Sequence, residues 1–217
     1  ITKAEETQAA LILATDPDAD RVGVAVRNKE GKIVLLNGNQ TAAILAYYTI
    51  NRLKETGKMP ANPMMVKTIV TTDLLNAIAA DNGIKMYDVL TGFKYIAEII
   101  RLQEGKEKFI GGGEESYGYL GADFVRDKDA VMTCCMIAEA AAWAACAGKT
   151  LTCLLDDIYG KYGYYAEDLL SITKKGMNGQ QEIADMMKTF RENPPEEICG
   201  SPVTMIKDYK LRVSKDM

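Results

Sequence analysis

Hydrophobic residues along this chain fall into short continuous runs separated by polar turns, and the runs alternate with stretches of helical spacing. Leu11-Ile-Leu-Ala14 is a continuous apolar run that ends in Asp-Pro-Asp. That is the pattern of a strand covered on both faces that reaches a loop at its C-terminal end. Val22 to Val26 and Lys32 to Leu36 predict two further strands joined by a turn at Asn28-Lys-Glu-Gly31. Asn39 is placed to cap a helix running to about Glu55, with Ile44, Leu45, Tyr48 and Leu53 on one stripe and Gly57 ending it. After a Pro60-Ala-Asn-Pro63 loop the prediction alternates: strand Met65 to Val70, helix Asp73 to Asp81, strand Ile84 to Val89, helix Tyr95 to Leu102, strand Phe109 to Gly111. An Ala-rich helix from Lys128 to Ala147 and another from Leu151 to Tyr159 follow. Strand–helix alternation with short connections predicts an α/β fold, a mixed, largely parallel sheet flanked by helices. Beyond Gly163 the texture changes to a strand, a helix with Ile183, Met186, Met187 and Phe190 at helical spacing, a Pro194-Pro195 loop and a final strand.

Composition narrows the function. The 217 residues suffice for one domain or two small ones. Lys+Arg 26 against Asp+Glu 30 leaves a net charge of -4, and no basic block is denser than Lys174-Lys175, which argues against a nucleic-acid or membrane partner. The chain has no histidine, which excludes Ser-His-Asp and Cys-His catalysis. Its five cysteines form no C-x-x-C pair, and four lie in the Ala-rich region; they are expected to be reduced, buried thiols of a cytoplasmic protein. The apolar run Val131 to Ala147 carries Glu139 and is mostly Ala, so a buried helix is expected rather than a membrane span. No signal peptide opens the chain, whose first residue is Ile rather than Met, and it reads as an excised piece.

Four segments carry candidate chemistry. In Asp16-Pro-Asp18-Ala-Asp20-Arg21 three carboxylates at alternate positions of an extended loop project to one side, where they can converge on a hard divalent cation. An EF-hand does not fit, because Arg21 and Arg27 stand where that loop needs Gly and Glu; a solvated acidic turn is the plain alternative. Gly111-Gly-Gly-Glu114-Glu115-Ser116-Tyr117-Gly118 follows a predicted strand and offers a carboxylate and a hydroxyl for gripping sugar hydroxyls. It is neither a P-loop nor a G-x-G-x-x-G turn. Thr91-Gly92-Phe93-Lys94 lies between strand and helix, where free backbone N–H groups and a lysine can bind a phosphate or sugar oxygen. In Arg126-Asp127-Lys128-Asp129, Asp127 reads as a helix N-cap. Without histidine, a Lys128 of lowered pKa is the candidate acid or base.

Taken in order, these segments resemble the α-D-phosphohexomutase superfamily, its phosphoglucomutase branch more than its phosphomannomutase branch. Asp16-Pro-Asp-Ala-Asp-Arg21 resembles the family's D-G-D-x-D-R magnesium loop and Gly113-Glu-Glu-Ser116 its G-E-x-S sugar loop. Thr91-Gly-Phe-Lys94 is similar to the T-G-x-K segment, and Arg126-Asp-Lys-Asp129 to the R-[ED]-K-D stretch. The resemblance implies an intramolecular phosphotransferase that interconverts hexose 1-phosphate and 6-phosphate through a phosphoserine and a hexose 1,6-bisphosphate, which also activates the enzyme. It implies Mg²⁺ held by Asp16, Asp18 and Asp20, with weak or absent metal binding in the isolated piece. Sugar binding falls to Thr91, Gly92, Lys94, Glu114 and Ser116, and catalysis to Lys128 and Arg21. The phosphoserine and phosphate-clamp motifs of the family are absent from these 217 residues. The division implied is therefore residues 1–36 as the end of domain 2, 37–163 as domain 3, and 164–217 as a linker and the start of domain 4, the partners being a phosphorylated sugar and the missing domains. Tyr117-Gly118 stands where many phosphomannomutase-type members have G-H, and pentose phosphates remain possible substrates.

Two other readings compete. Leu11 to Asp18 also fits the strand and D-x-D of a haloacid-dehalogenase-type phosphatase or phosphotransferase, with Asp156-Asp157 as the distal acidic pair and Asp16 as the nucleophile. A non-catalytic sugar-phosphate-binding domain is the other.

Overall fold

The structure, a computed structural model, describes residues 1–176 and 178–217. The chain divides into two compact units, Ile1–Glu167 and Asp168–Met217.

In the first unit, α1 (Thr2–Thr7) precedes an antiparallel sheet of β1 (Leu11–Thr15), β2 (Val22–Arg27) and β3 (Ile33–Leu36), with β2 in the centre. The expectation that the first strand is covered on both faces fails: β1 is an edge strand whose last two residues are exposed, because only β2 pairs with it. Helix α2 (Gly38–Glu55) follows, and its cap is Asn37 rather than Asn39. The Asn37 side chain accepts from Gln40 N–H (2.8 Å) while Gln40 Oε1 accepts from Asn37 N–H (3.0 Å). This reciprocal pair satisfies two donors that a helix start leaves open. Asn39 instead points out of the helix and accepts from Thr72 N–H (3.0 Å).

A mixed sheet is built from β4 (Pro63–Thr68), α3 (Leu74–Asp81), β5 (Lys85–Val89), α4 (Phe93–Leu102), β6 (Lys108–Gly113) and β7 (Tyr119–Leu120), in the strand order β5-β4-β6-β7. Both neighbours of β4 run parallel to it, and β7 returns antiparallel. Helices α5 (Ala130–Cys146) and α6 (Leu151–Tyr162) close the unit. Side chains alternate across β4 as a strand requires. Met65 joins a core made with α2, α3, α5 and α6, whereas Met64 and Val66 join Phe93, Ile96, Ile100, Phe109 and Leu120 beneath α4. The sheet is thus covered on both faces, the arrangement expected where strands read as continuous apolar runs. Helix α2 is buried nearly all round, Ala42 to Ala46 being at most 3% exposed, so a single apolar stripe describes it too narrowly.

Helix α5 begins two residues later than expected, with Asp129 and not Asp127 as its cap, accepting from Met132 N–H at 2.9 Å. Tyr48 Oη donates to Glu139 (3.0 Å), which gives the charge inside the Ala-rich run a partner. Among the described residues no single helix is long and apolar enough to cross a membrane. The five cysteines are free thiols, as expected, but none is buried: Cys135, Cys146 and Cys199 are exposed, and Cys134 and Cys153 are half-buried.

In the second unit, α7 (Gly179–Glu192) carries the apolar spacing that the sequence displays. The short pairs β8 (Glu197–Ile198) with β9 (Ser201–Pro202) and β10 (Met205–Asp208) with β11 (Val213–Asp216) stand where one final strand was expected. The strand expected just after Gly163 does not form: residues 164–175 have no regular secondary structure.

Candidate functional site

Loops from the C-terminal ends of β1, β4, β5 and β6 supply the candidate residues, the edge at which open α/β sheets place their sites. The antiparallel sheet and the mixed sheet are joined there. Arg21 forms an isolated bridge with Gly118, and Val22 N–H donates to Tyr117 O (3.3 Å). Ala130 N–H, opening α5, donates to Ala19 O (3.0 Å).

The Asp16–Arg21 loop folds on Asp16. Its Oδ1 accepts from Asp20 N–H (3.2 Å) and Arg21 N–H (3.0 Å), and its Oδ2 from Arg21 Nε (2.8 Å). The Arg21 backbone hydrogen bond leads the causes that hold the Asp16 carboxyl below its ordinary range, with the Arg21 guanidinium adding to it. Ala19 adopts a left-handed conformation (φ 54°), unusual for a residue with a Cβ and characteristic of functional loops. Oxygens of Asp16, Asp18 and Asp20 all come within 4.8 Å of one another. Asp20 Oδ1 is buried and makes no hydrogen bond, although Arg21 Nε lies 3.3 Å away. Three carboxylates with a hard oxygen donor left open are the donor set that Mg²⁺ takes, so these residues fit the ion.

Lys128 links this loop to the glycine-rich one. Its Nζ lies 2.9 Å from Asp20 Oδ2, 3.2 Å from Asp127 Oδ1 and 5.3 Å from the Phe93 ring centre, and its side chain is 17% exposed. Desolvation alone would lower its pKa, but the hydrogen bonds to Asp20 and Asp127 outweigh it and the pKa is raised. The expectation of a lowered pKa is thereby corrected: Lys128 is held as an ammonium by two carboxylates. Gly118 allows this approach, since a Cβ there would meet Lys128 Cδ at 2.3 Å.

Glu114 accepts from Gly92 N–H (3.0 Å) and donates its own N–H to Gly118 O (2.8 Å), which closes the 114–118 turn against the start of α4. Gly92 N–H is therefore engaged rather than free, a correction to the expected anion cradle. Ser116 and Thr91 are exposed, and Lys94 reaches out over the Tyr95 ring (4.9 Å). Lys94 and Asp127 line one cleft of about 670 Å³ with Glu98, Arg101 and Arg126. Asp157, a candidate in the phosphatase reading, pairs with Lys149 instead (2.5 Å).

Sequence reasoning missed Lys67, a fully buried cation near the C-terminal end of β4, and the hydroxyls of Thr68 and Thr71 that hold Glu115 (3.2 and 3.3 Å). A lysine inside a continuous apolar run was the available signal. It also missed Tyr117, whose φ of 73° no sequence pattern announces.

A layered α/β unit with acidic, glycine-rich and lysine-bearing loops at one strand edge defines the class. The family profile for phosphoglucomutase/phosphomannomutase, alpha/beta/alpha domain III, matches residues 37–162, and the chain belongs to that family. A phosphoglucomutase of Staphylococcus aureus strain N315 is 41% identical over 206 residues, covering 95% of this chain and 37% of the relative. The chain thus spans little more than a third of the length of the curated relatives it matches. Among solved structures, the open form of parafusin, a phosphoglucomutase from Paramecium, superposes with a TM-score of 0.61 at 17% identity, covering 95% of this chain and 34% of that one. A phosphoglucomutase/phosphomannomutase family protein from Burkholderia thailandensis gives 0.58 at 18% identity, covering 94% and 38%. At such identities these two establish the fold.

Proposed function

We infer that the chain is the metal- and sugar-binding portion of a phosphoglucomutase-like enzyme that interconverts hexose 1-phosphate and 6-phosphate. One observation carries this reading: Lys128 spans from the acidic loop to the glycine-rich loop, 2.9 Å from Asp20 and packed over Gly118, so that a cation sits between a metal site and a hydroxyl-binding turn. On this reading residues 1–36 end one domain, 37–163 form the sugar-binding domain and 164–217 lead into a third. The free thiols of all five cysteines support a cytoplasmic location.

Glu114 and Ser116 hold sugar hydroxyls, with Thr91, Gly92 and Lys94 flanking them. A phosphoserine on a segment outside this chain loses its phosphoryl group to a sugar hydroxyl. The P–O bond to serine breaks, a P–O bond to the sugar forms, and the bisphosphate returns its other phosphate to serine in the second half. Asp16, Asp18 and Asp20 would hold Mg²⁺, which supplies positive charge against the transferring phosphoryl group. Arg21 fixes Asp16 in place. The proton of the attacking hydroxyl passes by way of the phosphoryl oxygens to the seryl oxygen as it leaves, and the reverse path returns a proton to the sugar oxygen in the second half. Lys128, its ammonium held by Asp20 and Asp127, donates a hydrogen bond to the reacting sugar oxygen and offsets the negative charge that develops there. Tyr117-Gly118 after Ser116 supports glucose over mannose.

The test is an assay of a protein extended to the length of its relatives, with glucose 1-phosphate and a trace of glucose 1,6-bisphosphate. Conversion to glucose 6-phosphate is expected, abolished by EDTA and restored by Mg²⁺. Lys128→Met is expected to lower kcat by about 10²–10⁴ with a smaller change in KM, and the 217-residue piece alone to be inactive. Phosphate found by mass spectrometry on Asp16 rather than on serine would establish the phosphatase reading instead.

A further inference from the structure

Resting on the sugar-loop reading above, we propose that Glu115 is a positioning residue, clamped by a buried Lys67–Thr68–Thr71 device that sets where Glu114 and Ser116 stand. Two consecutive carboxylates of the loop are anchored to different neighbours. Glu114 is held by Gly92 at the start of α4, and Glu115 Oε2 by the hydroxyls of Thr68 and Thr71 at the end of β4. Both threonines are buried, at 0% and 2% exposure, and their hydroxyls lie 2.7 Å apart. The loop is therefore tied on both sides while Ser116 and Tyr117 remain exposed at its tip.

Lys67 gives the clamp its shape. Its Nζ donates to Thr71 O (3.0 Å), Thr68 O (3.4 Å) and Asp73 Oδ1 (3.1 Å) and pairs with Asp88 Oδ1 (3.0 Å), which bends the chain after β4 back over the strand end. A cation taken out of water loses much of what its partners return, so bulk stability is a poor reason for one at the centre of a sheet. In strand register Lys67 stands between Gly113 on one side and Asp88 on the other, and its ammonium ties the end of β5 to the chain that leaves β4. The start of α2 closes the back. A Cβ on Gly38 would lie 1.9 Å from Glu115 O, and Asn39 holds the Thr72 N–H.

The two hydroxyl protons are shared among Thr68 Oγ1, Thr71 Oγ1 and Glu115 Oε2, so Glu115 Oε2 acts only as an acceptor, and an amide carbonyl can replace it where an apolar side chain cannot. The test compares Glu115→Gln, Glu115→Ala, Thr68→Val/Thr71→Val and the three substitutions combined, in the full-length protein, by amide hydrogen exchange and by mutase kinetics. Glu115→Ala and the double threonine variant are each expected to speed exchange of residues 114–118 at least tenfold. Each is also expected to raise KM and lower kcat together, by about tenfold or more, because a reacting hydroxyl that is no longer held in place drifts off line. Glu115→Gln is expected to stay near wild type on both readouts. The combined variant should add nothing to Glu115→Ala, since all three residues act through the same hydrogen-bonded cluster. Unchanged exchange in Glu115→Ala, a Glu115→Gln as damaging as Glu115→Ala, or additive effects would overturn the proposal. A wild-type protein without mutase activity refutes the functional reading, whereas the exchange measurements judge the clamp by themselves.

Discussion

Gly118 and Lys128 form the most consequential pair of single residues. The lysine stem lies against a backbone that has no side chain, and a Cβ would come within 2.3 Å of Lys128 Cδ and 3.5 Å of Glu114 Oε2. Alanine there adds one methyl group and must push the lysine off Asp20. Gly118→Ala is therefore expected to lower kcat of the full-length enzyme by about 10², approaching the loss for Lys128→Met, because it removes the same group from the same place. Thermal stability should change by only a few degrees, since the side chain that has to move is long and flexible. A full-rate Gly118→Ala enzyme would return Lys128 to the role of an ordinary helix-start residue. This glycine's purpose lies in a neighbour ten positions along the chain, and no local pattern shows it.

At the scale of elements, α3 and α6 are fastened at their ends. Asp81 closes α3, where the helix dipole disfavours a negative charge, yet its carboxylate accepts from Lys161 Nζ (2.7 Å) and Tyr162 Oη (2.9 Å) at the end of α6. The Lys161 hydrogen bond leads the causes that hold the Asp81 carboxyl below its ordinary range. A carboxyl lowered on folding contributes stability that is fully present above its unfolded pKa and is lost as pH falls through the folded one. Melting temperature followed from about pH 5 downward should fall more steeply in the wild type than in Asp81→Asn, and parallel curves would exclude this pairing as a contributor. Elements are legible to the extent that their signals are local. The β4–α3–β5–α4–β6 alternation shows in apolar runs and in stops such as Asn82-Gly83, and the structure moves its bounds by about two residues. The exposed edge of β1 is not legible, because four apolar residues look the same whether one strand or two lie beside them. Asp127 passes for the cap because both it and Asp129 are good caps in sequence. What settles which of them ends the loop is tertiary and local together: Asp129 N–H pairs with Tyr119 O while its carboxylate accepts from Met132 N–H. For the candidate site, residue types are readable and partners are not. Asp16, Asp18 and Asp20 announce a cation by spacing, whereas the raised pKa of Lys128 depends on carboxylates brought from 108 positions away and from next door.

For the whole molecule the two units differ in how much they bury. Both apolar clusters lie within residues 1–167, while among the described residues of 168–217 only Gly179 is buried. Small units bury too little surface to hold themselves together firmly. The one tryptophan, Trp143, lies in the first unit and packs edge-on against Tyr48 (5.8 Å between ring centres). Heating this chain should thus give two transitions: loss of far-ultraviolet dichroism from α7 and its short strands first, and the Trp143 fluorescence change at a higher temperature. Coincident transitions by both probes would show the second unit to be as stable as the first. The bridge from Arg21 to Gly118 bears on the order in which a nascent chain becomes competent. Its two halves are separated by nearly half the chain, and everything between them must first be synthesised and laid into the mixed sheet. Closing contacts between such distant segments is slow compared with forming a hairpin or a helix. The acidic turn, although made well before the mixed sheet, therefore waits for the last strand of that sheet before its bridge to Gly118 can form.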